Sequence, residues 1–160
     1  MGDYVSNYIC MIGTLFLFCY WPSFNCALAP EEHQQFIVVN TILSITASVI
    51  SSVLSSRIYY GKSDMKIFQN ATLAGGVAIG SCTPMLVSGG VALLIGFVAG
   101  IISTIGFIKV KPMLERFGFN DTCGVHALHG MPALAGGIIG YISCMSVDNE
   151  TAERTFAAVA

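Results

Sequence analysis

An all-α, polytopic membrane protein with five transmembrane helices is the fold class this sequence predicts, from three observations. Charged residues make up only 10% of the 160-residue chain and hydrophobic ones 54%, with a mean hydropathy of +0.73. A water-facing surface needs roughly 25% charged residues. The few charges also cluster: residues 4–30, 33–57, 67–108 and 122–147 hold none of the four charged types apart from the closing Arg57. A spanning helix needs about 20 apolar residues, and the third stretch is long enough for two, broken near Pro84 or Ser88-Gly89-Gly90.

Spans are therefore predicted at about 6–29, 35–57, 67–87, 90–109 and 121–147, inside a membrane domain covering 1–147, with 148–160 as a polar tail. The first apolar run is too long for a signal-peptide core and lacks a basic leader, so it reads as a span. Of the seven Lys and Arg residues, all but Arg154 fall in two loops, Arg57/Lys62/Lys66 and Lys109/Lys111/Arg116. Five spans put both loops on one side, which the positive-inside rule makes cytoplasmic. The three sequons, at Asn70, Asn120 and Asn149, lie at or beside span ends and are expected to be unmodified. The six cysteines show no paired spacing and read as reduced, packed thiols. A net charge of −2 argues against a nucleic-acid partner.

The first span ends in an aromatic constellation, Phe16, Phe18, Tyr20, Trp21, Pro22, Ser23, Phe24, Asn25. An interfacial belt accounts for Tyr20 and Trp21; Phe24, after a proline and before Asn25, stands between belt and pore. The second span carries Ser44, Ser48, Ser51, Ser52 and Ser55 at helical intervals. The third, fourth and fifth carry small-residue pairs four apart: Gly76/Gly80, Gly96/Gly100 and Gly136/Gly140. Lipid is as apolar as leucine, so such residues join helices by letting backbones approach. A compact bundle follows.

The fifth span holds His126 and His129 in an uncharged run. At 1.5 Å per residue His129 lies about 12 Å from Asp121, near mid-membrane. A step of 100° per residue puts His126, His129, Ala133, Gly136, Gly137 and Gly140 on one packing face, with Leu128, Met131, Ile138, Ile139 and Ile142 opposite. Pro132 cannot donate to the carbonyl of Leu128, which leaves an acceptor beside the histidine. Such a histidine can hold neighbouring helices together, relay protons or contact substrate in a transport path. Ligation of metal or haem by Cys123, His126 and His129 is geometrically possible but has no further ligand cluster. Catalysis needs a nucleophile–base or carboxylate pair, and no acid lies in the interior of any span, Asp121 standing at the start of the fifth. The chain is expected to be no enzyme and to hold no cofactor or metal.

Four blocks resemble, in order, the Rh glycoprotein branch of the Amt/Mep/Rh ammonium transporters: Met11–Leu17 with Trp21–Asn25, Gln69–Gly80, Ile95–Phe107, and Asp121–Pro132. Together they reach from about Asp3 to Val147. The resemblance implies one of the two inverted five-helix repeats that build each subunit's pore in this family, and homo- or hetero-trimers with Rh-type subunits. Ammonium would be deprotonated outside and ammonia would pass through a hydrophobic lumen. By position, His129 matches the second of two lumen histidines and Phe24 one of the outer gate phenylalanines. Asp121 matches an acid near the cytoplasmic mouth, where it can also cap the fifth span. His126, Trp21 and Pro132 take supporting places, His126 by packing.

The other lumen histidine, the other gate phenylalanine and the family's final span are absent, and Ser81–Met85 replaces what is usually a small-residue and acidic stretch. A half-pore does not enclose a lumen. The expected function is ammonium/ammonia transport in a membrane, the plasma membrane by family. The alternatives are a truncated non-transporting subunit that alters Rh-type trimer assembly, and a carbon dioxide channel. Expected partners are ammonia or ammonium, membrane lipid and Rh-type subunits.

Overall fold

The computed structural model describes residues 4–62, 64–83 and 88–146. Pro84, the sequon at Asn149 and the polar tail lie outside them. The elements in order are α1 (Tyr4–Cys26), α2 (Glu31–Tyr60), α3 (Met65–Gly80), α4 (Gly89–Ile105), a π turn (Gly106–Val110), α5 (Lys111–Arg116), a second π turn (His126–Gly130) and α6 (Met131–Ser146). Each π turn runs straight into the helix beside it, so the described residues form five rods. Four are long and apolar enough to cross a membrane: Tyr4–Cys26, Glu31–Tyr60, Gly89–Arg116 and His126–Ser146. The third rod, α3, has 16 residues and rises about 24 Å. It stops at Gly80, where the sequence reading carried the span to residue 87. Its glycines bring neighbours close but are weak helix formers, and the chain turns at Ser81 and Cys82.

The ends follow local chemistry. Pro30 precedes α2 and Glu31 and Glu32 fill its first turn, where acids suit the helix dipole. Gly61, at φ 68°, closes α2 by donating its N–H to the Arg57 carbonyl at 2.9 Å. The Asp64 carboxylate accepts from the N–H groups of Lys66 (2.8 Å) and Ile67 (3.3 Å) to start α3. Ser88 caps α4 through the Val91 N–H.

The two π turns share a cause. Each begins six residues before a proline, Gly106 before Pro112 and His126 before Pro132. A proline ring crowds the carbonyl four residues back and donates nothing to it. Widening the preceding turn to an i→i+5 bond moves that carbonyl away, and the bonds that do so run from Lys111 N–H to Gly106 O and from Met131 N–H to His126 O.

The core is a trio in which α2 lies along both α3 and α4. The serine stripe faces inward: Ser44, Ser48, Ser51 and Ser52 are wholly buried and Ser55 nearly so. The Ser44 hydroxyl donates to the Gly75 carbonyl at 2.9 Å, and Ser48 donates to that of Ala71. A Cβ at Gly96 would lie 1.9 Å from the Ser44 carbonyl oxygen, so α4 touches α2 backbone to backbone. On the far side of α3, a Cβ at Gly136 would lie 2.4 Å from the Ala78 carbonyl oxygen. Lys109 Nζ sits 5.4 Å from the Tyr59 ring centroid, which brings the two basic loops to one end of the bundle.

The outer rods are far less covered. In its most apolar window α2 is 50% buried, whereas α1 is 17% buried. The six cysteines are free thiols, but the expectation that all are packed fails: Cys10, Cys19 and Cys123 are exposed and only Cys82 is fully buried. Cys123 lies in the turn before the second π turn.

Candidate functional site

The fifth rod departs from the straight wheel drawn for it. An extra residue in one turn rotates everything before it by roughly 100°. The buried face of this rod is accordingly Leu128, Pro132, Gly136 and Gly140. Leu128, expected opposite, is packed in the core; beyond the π turn, where this rotation does not apply, Ala133 and Gly137 were expected on the packing face but are exposed. His126 is corrected in the same way as Leu128. Expected to pack, it is exposed, its Nδ1 lying 3.1 Å from where a Cβ on Gly130 would be.

His129 ends up half-buried against α1. Its ring stacks on the Trp21 indole, centroids 6.0 Å apart and planes 20° from parallel. Trp21 reaches inward because α3 has a glycine opposite. A Cβ on Gly76 would lie 2.6 Å from Trp21 Cδ1 and Nε1. The Nε1–H, buried on that side, meets no protein acceptor. One turn on, Asn25 Nδ2 donates to the Gly76 carbonyl at 3.1 Å and to Thr41 Oγ1 at 3.3 Å, fastening the end of α1 to α3 and α2. Phe24 closes the group, its ring 6.1 Å from that of Trp21 at 57°, and is 77% exposed.

These side chains bound a cleft of about 610 Å³ whose walls include Trp21, Phe24, Asn25, Gly76, Val77 and His129. Its surface is mainly apolar. Polarity comes from the imidazole and the fastened Asn25 amide. Gly76 and Asn25 are the residues whose roles the sequence reading missed: the Gly76/Gly80 spacing was legible, but as a helix–helix contact rather than a bed for side chains of α1.

Asp121 lies outside this cleft. Its Oδ1 accepts from the Val125 N–H at 2.9 Å and its Oδ2 from the His126 N–H at 3.0 Å, capping the rod where it begins. Gly124 makes the entry turn at φ 73°, and a Cβ there would lie 2.2 Å from the Phe107 ring. Pro132 is buried two residues beyond the π turn. Cys123, His126 and His129 do not gather, and among the described residues no group of three His, Cys, Asp or Glu could hold a metal ion.

The sequence pattern of the Ammonium Transporter Family matches residues 3–158. Ammonium transporter Rh type C of Homo sapiens is 48% identical over 151 residues, covering 92% of this chain and 32% of that protein. Its counterpart in Bos taurus is 49% identical over 146 residues, covering 89% and 32%. Rh50 of Nitrosomonas europaea, a solved structure from the Rhesus protein family of channels, aligns with a TM-score of 0.85 at 37% identity over 99% of this chain and 41% of its own. This chain thus spans about a third of the length of the curated relatives it matches.

Proposed function

Because the chain belongs to the ammonium transporter family, we propose that its cleft is one wall of a conduit for ammonia, with His129 and Phe24 as pore-lining residues. The observation that carries this reading is the stacked Trp21–His129 pair facing an apolar cleft beside Phe24.

The chemistry follows from solvation. Stripping water from ammonium costs several kcal/mol or more unless polar groups replace it, and this wall offers few. Neutral ammonia loses far less. A neutral imidazole presents one N–H donor and one nitrogen acceptor, which suits a molecule that both gives and takes hydrogen bonds. Phe24, exposed at the cleft's edge, can hold the cation by its ring face before it surrenders its proton to water. Trp21 supports His129 from behind. Asp121 shapes the other end by capping the rod at the cytoplasmic mouth. Carbon dioxide would fit the same apolar wall but makes no use of a donor–acceptor ring, so ammonia is the better match.

The cleft is open on one side, where Phe24 and Leu28 are 77% and 94% exposed. Its opposite wall is read as coming from further helices, of the same polypeptide or of another Rh-type subunit, in a trimer of the plasma membrane. Exposed apolar side chains such as Ile9, Ile12, Leu134 and Ile138 then face lipid or those helices.

The test is a chimera in which this chain replaces the matching segment of a full-length Rh type C protein. Methylammonium uptake is expected, and His129→Ala is expected to bring it to background with unchanged surface delivery. Undiminished uptake in the well-expressed variant overturns the reading. The open cleft also favours a second one, a subunit that joins Rh-type trimers without conducting. That reading expects the unmodified chain, co-expressed with a full-length relative, to lower uptake while carrying none itself.

A further inference from the structure

We propose that Gly106 is a positioning residue for the cleft: its missing side chain lets the π turn at His126–Gly130 dock in the register that turns His129 onto Trp21 and His126 away. The functional weight of this inference rests on the reading of His129 as part of a conduit; its geometry does not.

Gly106 opens the first π turn and presses on the second. A Cβ there would lie 2.8 Å from Ala127 Cβ, 3.1 Å from Ala127 Cα and 3.0 Å from Met131 Sδ. Ala127 is the second residue of the His126–Gly130 turn, and Met131 supplies the N–H that closes it on the His126 carbonyl. Gly106 therefore touches the turn near both ends. The Met131 thioether could swing aside, but Ala127 has only its backbone to move. The next residue extends the grip, since the Phe107 ring fills the place of a Cβ on Gly124. The rod is thus held from its entry turn to the residue before Pro132.

The register is what this grip selects. In an uninterrupted α-helix His126 and His129 share the face of Gly136 and Gly140, and Leu128 points the other way. With one residue inserted, Leu128 and Ala127 are buried at 9% and 1%, and His126 is exposed. The proline makes the wide turn favourable from within; the glycine of the neighbouring rod leaves the space it needs.

The chain has three histidines and one tryptophan, so a ring-current measurement reads this register directly. With labelled histidine, in detergent micelles, the ring protons of His129 are expected upfield of their position in Trp21→Leu. Gly106→Ala is expected to lose most of that displacement, and Pro132→Ala likewise. Gly137→Ala, where a Cβ meets nothing within 4 Å, is expected to keep it, and His33 is expected to stay unmoved throughout. A folded Gly106→Ala that keeps the full displacement overturns the proposal. Should Gly106→Ala fail to fold, the pair Gly106→Ala with Ala127→Gly, which removes the Cβ met at 2.8 Å, decides: it is expected to regain the displacement, and a folded pair without it overturns the proposal. Absence of any Trp21-dependent displacement in the unmodified chain also overturns it, whereas His129→Ala uptake tests the conduit reading separately.

Discussion

Two adjacent glycines on α3 serve two different regions of the molecule. A Cβ on Gly75 would lie 2.5 Å from the Ser44 carbonyl oxygen, while one on Gly76 would lie 2.6 Å from the Trp21 ring. The first belongs to the seam of α2 with α3 and α4, where backbones touch and serine hydroxyls bond across. The second belongs to the wall shared by α1 and the second π turn, where a missing side chain admits an aromatic ring. A small residue in a membrane helix can bring main chains together, or it can hollow out a socket. What lies opposite decides which, and only the socket contributes to a cleft.

Substitutions that separate the two uses follow, the largest effect first. Gly96→Ala puts a methyl 1.9 Å from a main-chain oxygen of α2. The seam has to part, at a cost on the order of 3 kcal/mol, and size-exclusion of the detergent-solubilised chain should show loss of the folded peak. Gly76→Ala meets a side chain instead of backbone. It should cost roughly 1–2 kcal/mol, read as a lowered thermal midpoint, yet remove most methylammonium uptake in the chimera by displacing Trp21 from His129. A Gly76→Ala chimera that transports normally would show that the socket has no part in conduction. Phe24→Ala, at an exposed edge, should leave the midpoint unchanged and shift the preference between ammonium and methylammonium; a chain that fails to fold would assign this ring to packing. Ser44→Ala removes one hydroxyl bond within the seam and should cost about 0.6 kcal/mol in an unfolding titration, with uptake intact.

The seam was far more legible in the sequence than the wall. Serines at helical intervals and glycines four apart are periodic, and a period survives translation into a face. Ser44, Ser48, Ser51 and Ser52 are all buried, and Gly96, Gly100, Gly136 and Gly140 all meet a neighbouring rod. The wall depends on departures from period. Pro132 was visible, but its effect on the preceding turn was not, because a freed carbonyl and an inserted residue have the same one-letter signature. That single residue moved His126 out of the packing face and Leu128 into it. The inward packing of Trp21 was hidden for another reason: it depends on what stands across from the ring, and Gly76 lies fifty-five positions away in the chain. Asn25 carried no signal beyond its neighbours, since its partners Thr41 and Gly76 come from two other rods.

The hydroxyl stripe of α2 also bears on the order of assembly during insertion. Alone in lipid, Ser44 and Ser48 have only their own helix to bond, and they gain outside acceptors when α3 supplies the carbonyls of Gly75 and Ala71. Those partners lie 31 and 23 residues away, nearer than the 54 that separate Cys82 from Gly136. Short separations close first. By this measure the α2–α3 seam closes ahead of the contact between α3 and the rod bearing His129.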